Sequence, residues 1–108
     1  MTMGRPRPNG KLVRDLIPEI IREAGGDPVT AILSPEEYPS ALMAKLTEEV
    51  EELLDAEGDH VAEELADVLE VLTTIAALNA IDWRSVEELR ADKRAARGGF
   101  EGRVWLGA

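Results

Sequence analysis

The sequence predicts an all-α fold, a four-helix, bundle-like arrangement built around a central antiparallel helix hairpin. Three observations predict it. Apolar residues recur at helical spacing over long stretches, and prolines and glycines punctuate these stretches at the places where helices start and stop. The aromatic share is only 4%, so packing of Leu, Val, Ile and Ala between helices has to supply the core. At 108 residues the chain has the length of one domain. A chain this small buries a modest share of its surface, so completion of the bundle by oligomerisation is expected.

Residues 1–10 carry Pro6, Pro8, Asn9 and Gly10 and are expected to be a flexible leader, with residues 11–108 forming a single all-α domain. In KLVRDLIPEIIREAGG, Leu12, Leu16, Ile20 and Ile21 lie at roughly helical spacing. Pro18 suits a first helical position better than an interior one, so the first helix should begin near it, after Asp15, and stop at Gly25 and Gly26. The following DPVTAIL is either a short extended segment or a packed connector.

Ser34, Pro35, Glu36 and Glu37 give a helix-start signature, and Pro39 moves the secure start to Ser40. That helix should run to about Glu57 and stop at Gly58. Asp59 then caps a helix from His60 to about Ile81, and the short turn forces the two to return antiparallel. A last helix, capped by Asp82 or Ser85, should span about Val86 to Ala96 and end at Gly98 and Gly99. The tail FEGRVWLGA reads as extended. Phe100 is expected in the core, together with at least one of Trp83 and Trp105.

Charge and composition narrow the function. Twelve Lys and Arg against 22 Asp and Glu give a formal net charge of -10, which argues against polymeric nucleic acid as a partner. The chain has no cysteine, so thiol nucleophiles, disulfide scaffolds and Cys zinc sites are excluded. No apolar signal region follows the N-terminal arginines and VLTTIAALNAI is too short to span a bilayer; a soluble cytoplasmic protein without a membrane partner is expected.

Two acidic pairs at helical spacing carry the chemistry. Leu42, Leu46, Val50 and Leu53 form the apolar face of one hairpin helix, with Glu49 and Glu52 on its flank. Val61, Leu65, Val68, Leu72 and Ile75 form that of the other, with Glu64 inside the edge made by Val68, Val71 and Ile75 and Asp67 just beyond. Acids on helices usually mark a solvated face, the reading that suits Glu51, Asp55, Glu57, Glu63 and Glu70. Here, however, each pair borders an apolar stripe and the two helices are hairpin neighbours. Four carboxylates meeting at one seam need protons or a cation to relieve their repulsion, and a hard divalent metal is the simplest answer. Lys45 precedes Glu49 by one turn on the same edge, within reach of the carboxylates or of a bound phosphate.

The pattern Glu48-Glu49-x-x-Glu52, followed on the next helix by Glu64-x-x-Asp67, resembles the EExxE and ExxD motifs of the MazG-like, all-α nucleoside triphosphate pyrophosphohydrolases. KLVRDLIPEIIREAG and RGGFEGR resemble the flanking signatures of a small branch of that superfamily, described as house-cleaning or phosphoribosyl-ATP pyrophosphohydrolase-like. Leu16 departs from it, standing where a lysine is common. The resemblance implies Mg²⁺, with Mn²⁺ as a substitute, held by Glu49, Glu52, Glu64 and Asp67. It implies a catalytic role for Glu49 and for Glu48, the latter as an outer base for the attacking water. By the same resemblance Lys45, Lys93, Arg97, Lys11 and Arg14 are phosphate or substrate contacts. The implied reaction converts a nucleoside triphosphate, noncanonical or damaged ones included, to the monophosphate and pyrophosphate in a homodimer or higher homo-oligomer. Phosphoribosyl-ATP is a second candidate substrate, and a noncatalytic acidic helical binding protein is the alternative from another class.

Overall fold

A computed structural model of the protein describes residues 10–107, and among these every regular element is an α-helix: α1 (Ile17–Glu23), α2 (Tyr38–Asp55), α3 (His60–Leu78) and α4 (Trp83–Arg97). The all-α expectation holds; the expected leader, apart from Gly10, lies outside the described residues. Two compact parts are distinguished, one ending at Leu72 and the other beginning at Thr73, so that the division falls inside α3.

In the first part, α1 starts with Pro18 in its first turn and has no side-chain cap, so Asp15 precedes the helix without capping it. Gly25, at φ +94°, turns the chain out of the helix, and the Gly26 N–H closes it by donating to the Ile21 carbonyl at 2.9 Å. Residues 27–33 form no strand, and Val29 and Ile32 are exposed, so this connector is neither paired nor packed along its length.

The start of α2 lies two residues before the expected Ser40, and the reason is local. The Ser34 N–H donates to Glu37 Oε1 at 3.0 Å while the Glu37 N–H donates to Ser34 Oγ at 3.2 Å, a reciprocal capping box that organises the turn leading into Tyr38. The helix then stops at Asp55, and Ala56 is extended. Gly58, at φ +58°, lets the connection turn within residues 56–59, and the His60 N–H donates to the Glu57 carbonyl at 3.2 Å.

The buried faces of the hairpin differ from the purely apolar stripes. On α2, Ala41, Leu42 and Glu49 are buried, Leu46 and Leu53 half-buried, and Val50 exposed. On α3, Val71 is buried and Val61, Glu64, Asp67 and Val68 are half-buried, whereas Leu65, Leu69 and Leu72 are exposed. Turning the acidic edges inward rotates these leucines outward, because neighbouring residues on a helix are about 100° apart.

In the second part, α3 ends at Leu78, three residues before the expected Ile81. Ala80 adopts φ +55° and the Ile81 N–H donates to the Ala76 carbonyl at 2.8 Å, a helix-ending motif usually built on glycine. Asn79 Nδ2 donates to the Ile75 carbonyl at 2.8 Å. The Asp82 side chain accepts from the Arg84 N–H at 3.0 Å and so starts α4 at Trp83, three residues before the expected Val86. Gly98, at φ +83°, ends it. The expectation of a buried Phe100 is corrected: in the turn after α4 it is 97% exposed, and Trp105 is also exposed, while Trp83 is half-buried. No helix among the described residues is long and apolar enough to cross a membrane.

Candidate metal centre

Glu49 and Glu52 come from the last two turns of α2, and Glu64 and Asp67 from the first two turns of α3. Because only residues 56–59 connect the helices, these turns lie side by side and antiparallel. One oxygen from each of the four carboxylates lies within 4.8 Å of all the others. Unit negative charges at such distances repel by about 1 kcal/mol per pair in water and by several times that beside protein. The arrangement therefore needs compensation.

Glu49 lies at the centre of the buried face, 6% exposed, rather than on its flank. Its Oε1 sits 3.1 Å from Lys45 Nζ, while its Oε2 is buried and without a hydrogen-bond partner, as is Glu64 Oε2. A buried carboxylate oxygen left unpaired is costly, and a cation is the partner that this geometry suits. The donor set is all carboxylate oxygen, which matches a hard divalent ion and not a soft one.

Protonation tells the same story. Burial alone would lower the Lys45 pKa, but the hydrogen bond to Glu49 and the charges of Glu48 and Glu49 together outweigh it, and the ammonium is held above its ordinary value. The Glu52 carboxyl is pushed up, chiefly by the charge of Glu49 and a hydrogen bond with it, with burial and Glu64 adding to the effect. Glu52 thus retains a proton more readily than an isolated glutamate.

The other expected site residues fall into two groups. Lys45 also lies 3.4 Å from Glu48 Oε2, and Lys11 Nζ lies 3.7 Å from Glu48 Oε1, so Glu48 stands between two lysines beside the quartet. Arg14 donates to Asp67 Oδ1 at 2.7 Å. Three of the five expected substrate cations therefore engage carboxylates of the seam or its border. Lys93 and Arg97 lie exposed on α4, in the second compact part. Sequence reasoning passed over one feature, an open groove of about 390 Å³ lined by Glu52, Asp55, Ala56, Glu57, His60 and Glu64. His60 is exposed and lies 3.6 Å from Glu63. Only the turn geometry brings Asp55 and Glu57 to the same groove as Glu64, and no spacing in the sequence signals it.

The carboxylate seam and the helices that carry it correspond to a recognised domain. The family model of the MazG nucleotide pyrophosphohydrolase domain matches residues 37–98, more than half of the chain, and the chain belongs to that family. The match takes in all four carboxylates. An uncharacterized protein of Mycolicibacterium smegmatis (strain ATCC 700084 / mc(2)155) is 57% identical over 47 residues, which cover 44% of this chain and 48% of the relative. The match thus spans about half the length of that curated relative. No solved structure matches the chain.

Proposed function

We propose that the protein is a divalent-metal-dependent nucleoside triphosphate pyrophosphohydrolase of the cytoplasm, working with Mg²⁺ and accepting Mn²⁺ as a substitute. The observation that carries the reading is the buried, unpartnered oxygen of Glu49 within a quartet of carboxylates, in a chain of the MazG family. Water adds to the α-phosphorus of the triphosphate, the bond from that phosphorus to the bridging oxygen of the β-phosphate breaks, and monophosphate and pyrophosphate leave. Held there, a divalent ion would supply charge neutralisation for the phosphate oxygens and make the attacking water more acidic.

Glu49, Glu52, Glu64 and Asp67 are the residues that would hold the ion. Glu48, outside the quartet and beside Lys45 and Lys11, is assigned as the base that takes the proton of the attacking water. Lys93 and Arg97 are assigned to phosphate oxygens on the family resemblance. Noncanonical or damaged nucleotides are the first substrate class to try and phosphoribosyl-ATP the second.

A homodimer or higher homo-oligomer belongs to the same reading. Leu65, Leu69 and Leu72 line one exposed stripe of α3 at helical spacing, and Met43, Val50 and Leu54 another on α2. Among the described residues the buried apolar side chains are only Ala41, Leu42, Val71 and Ala76, a thin core for an independent chain. Sedimentation showing dimers or larger species at micromolar concentration is expected; a monomer throughout would remove this part.

The reaction is tested by incubating the protein with a panel of nucleoside and deoxynucleoside triphosphates and phosphoribosyl-ATP, with and without Mg²⁺, and separating pyrophosphate from orthophosphate. Pyrophosphate with the matching monophosphate, dependent on Mg²⁺, is expected. Orthophosphate with a diphosphate product, or no turnover of any substrate by folded protein with several divalent ions, would contradict the assignment.

A further inference from the structure

Five carboxylates and three cations form one contact network in the first compact part. Glu49, Glu52, Glu64 and Asp67 make the seam, and Glu48 joins it through Lys45, which bridges Glu48 and Glu49. Lys45, Arg14 and Lys11 are the cations. With all carboxylates ionised, the network keeps a formal deficit of two positive charges, which is the charge of one divalent ion. The cations also differ in burial. The Lys45 side chain is 16% exposed, Arg14 57% and Lys11 65%, so solvent screens the first least.

We propose that Lys45 and Arg14 are built-in counter-ions of the carboxylate seam, which limit it to one divalent ion per chain without nucleotide and weaken that ion's binding, Lys45 more than Arg14. A fixed ammonium on Glu49 Oε1 lowers the negative potential that draws in a cation, and an arginine on Asp67 Oδ1 does the same from the other helix. Further ions then enter only with the triphosphate, which brings its own negative charge. The inference rests on the metal-dependent reading above, but it concerns binding and is measured without nucleotide.

The competing role for these residues is positioning. A cation that merely oriented a ligand carboxylate would strengthen metal binding, and its removal would weaken that binding by about 10- to 100-fold. The sign of the change therefore decides between them.

The test is an equilibrium titration of Mn²⁺, followed by the paramagnetic resonance signal of the free ion, on wild type, Lys45→Met, Lys45→Arg, Arg14→Leu and Lys11→Met, with folding checked by circular dichroism. The wild type is expected to bind one Mn²⁺ per chain. Lys45→Met should bind about tenfold or more tightly, Arg14→Leu should tighten less, and Lys45→Arg and Lys11→Met should stay near wild type. Thermal unfolding gives a second readout, with Mn²⁺ raising the midpoint of Lys45→Met more than that of the wild type. Should Lys45→Met fail to fold without metal, the exposed Arg14→Leu decides alone by the same criterion. Equal or weaker binding by folded Lys45→Met and Arg14→Leu, or two ions of similar affinity on the wild type, would overturn the inference. Turnover combined with variants that bind no more tightly removes the counter-ions and leaves the pyrophosphohydrolase reading; tightened binding in a protein that hydrolyses no nucleotide does the reverse.

Discussion

The Lys45–Glu49 pair of α2 and the Arg94–Glu101 pair at the end of α4 have almost the same separation, 3.1 and 2.9 Å, in opposite surroundings. Lys45 and Glu49 are 16% and 8% exposed in their side chains; Arg94 and Glu101 are 57% and 72% exposed. Contact distance does not separate them, but burial does. A solvated pair gains little from its Coulomb attraction, whereas charges removed from water must be compensated by whatever lies beside them. On the hairpin, the helix geometry gathers carboxylates at one place, and that pressure makes a cation the fitting partner. On α4, which has no buried residue, similar charges lie in solvent, two of them, Arg94 and Arg97, in the last turn of the helix.

The contrast can be broken by substitution, and the largest effect is expected at Glu49. Glu49→Gln keeps the shape of the side chain but removes a ligand charge from the centre of the seam, so Mg²⁺-dependent turnover should fall by about 100-fold or more, read as pyrophosphate release in a folded variant. Retained turnover would move the chemistry away from the seam. Next comes Lys45→Met, which leaves Glu49 buried without its ammonium. Stability without divalent ions should drop by about 1–3 kcal/mol, measured by urea unfolding in the presence of a chelator. A variant as stable as wild type would show that the pair is no more than a surface contact.

A pH titration sharpens the same point. The Glu52 pKa is raised by its neighbours, so on acidification Glu52 takes up a proton earlier than an ordinary glutamate, and that proton has to leave when a cation binds. Mn²⁺ affinity should therefore weaken as the pH falls, beginning at a higher pH than an ordinary glutamate would set, by up to about tenfold per pH unit for this one proton. Calorimetry across that range on wild type and Glu52→Gln checks it, with the steeper dependence in the wild type. The smallest effect belongs to α4: Arg94→Ala should leave the thermal unfolding midpoint and the Mn²⁺ affinity unchanged within error. A large loss there would erase the distinction drawn from burial.

The elements were legible in the sequence where their signals are local. Gly25, Gly26, Gly58 and Gly98 marked turns or helix ends, and the acidic spacings marked the quartet, because helical geometry alone puts residues three apart on one edge. Boundaries slipped where a side chain acts on the backbone in a way that composition does not rank: Ser34 with Glu37 brought α2 forward, and Asp82 rather than Ser85 capped α4. The centre of the buried face was misplaced because a purely apolar stripe puts Val50 inward, whereas closing the seam puts Glu49 there. Phe100 was expected inside on hydrophobicity and lies exposed in a turn after the last helix. The link between Arg14 and Asp67 spans 53 residues of sequence, and no local pattern encodes it.

On this reading the hairpin carboxylates, unlike the charges of α4, form a divalent-ion site. Calorimetric titration of Mn²⁺ into wild type, Glu49→Gln, Asp67→Asn and Glu87→Gln tests it most directly. Saturable binding is expected in the wild type and in Glu87→Gln on α4, with affinity at least about tenfold weaker in Glu49→Gln and Asp67→Asn. Equal binding by all four proteins, or no saturable binding by any of them, would show that the seam is not a divalent-ion site.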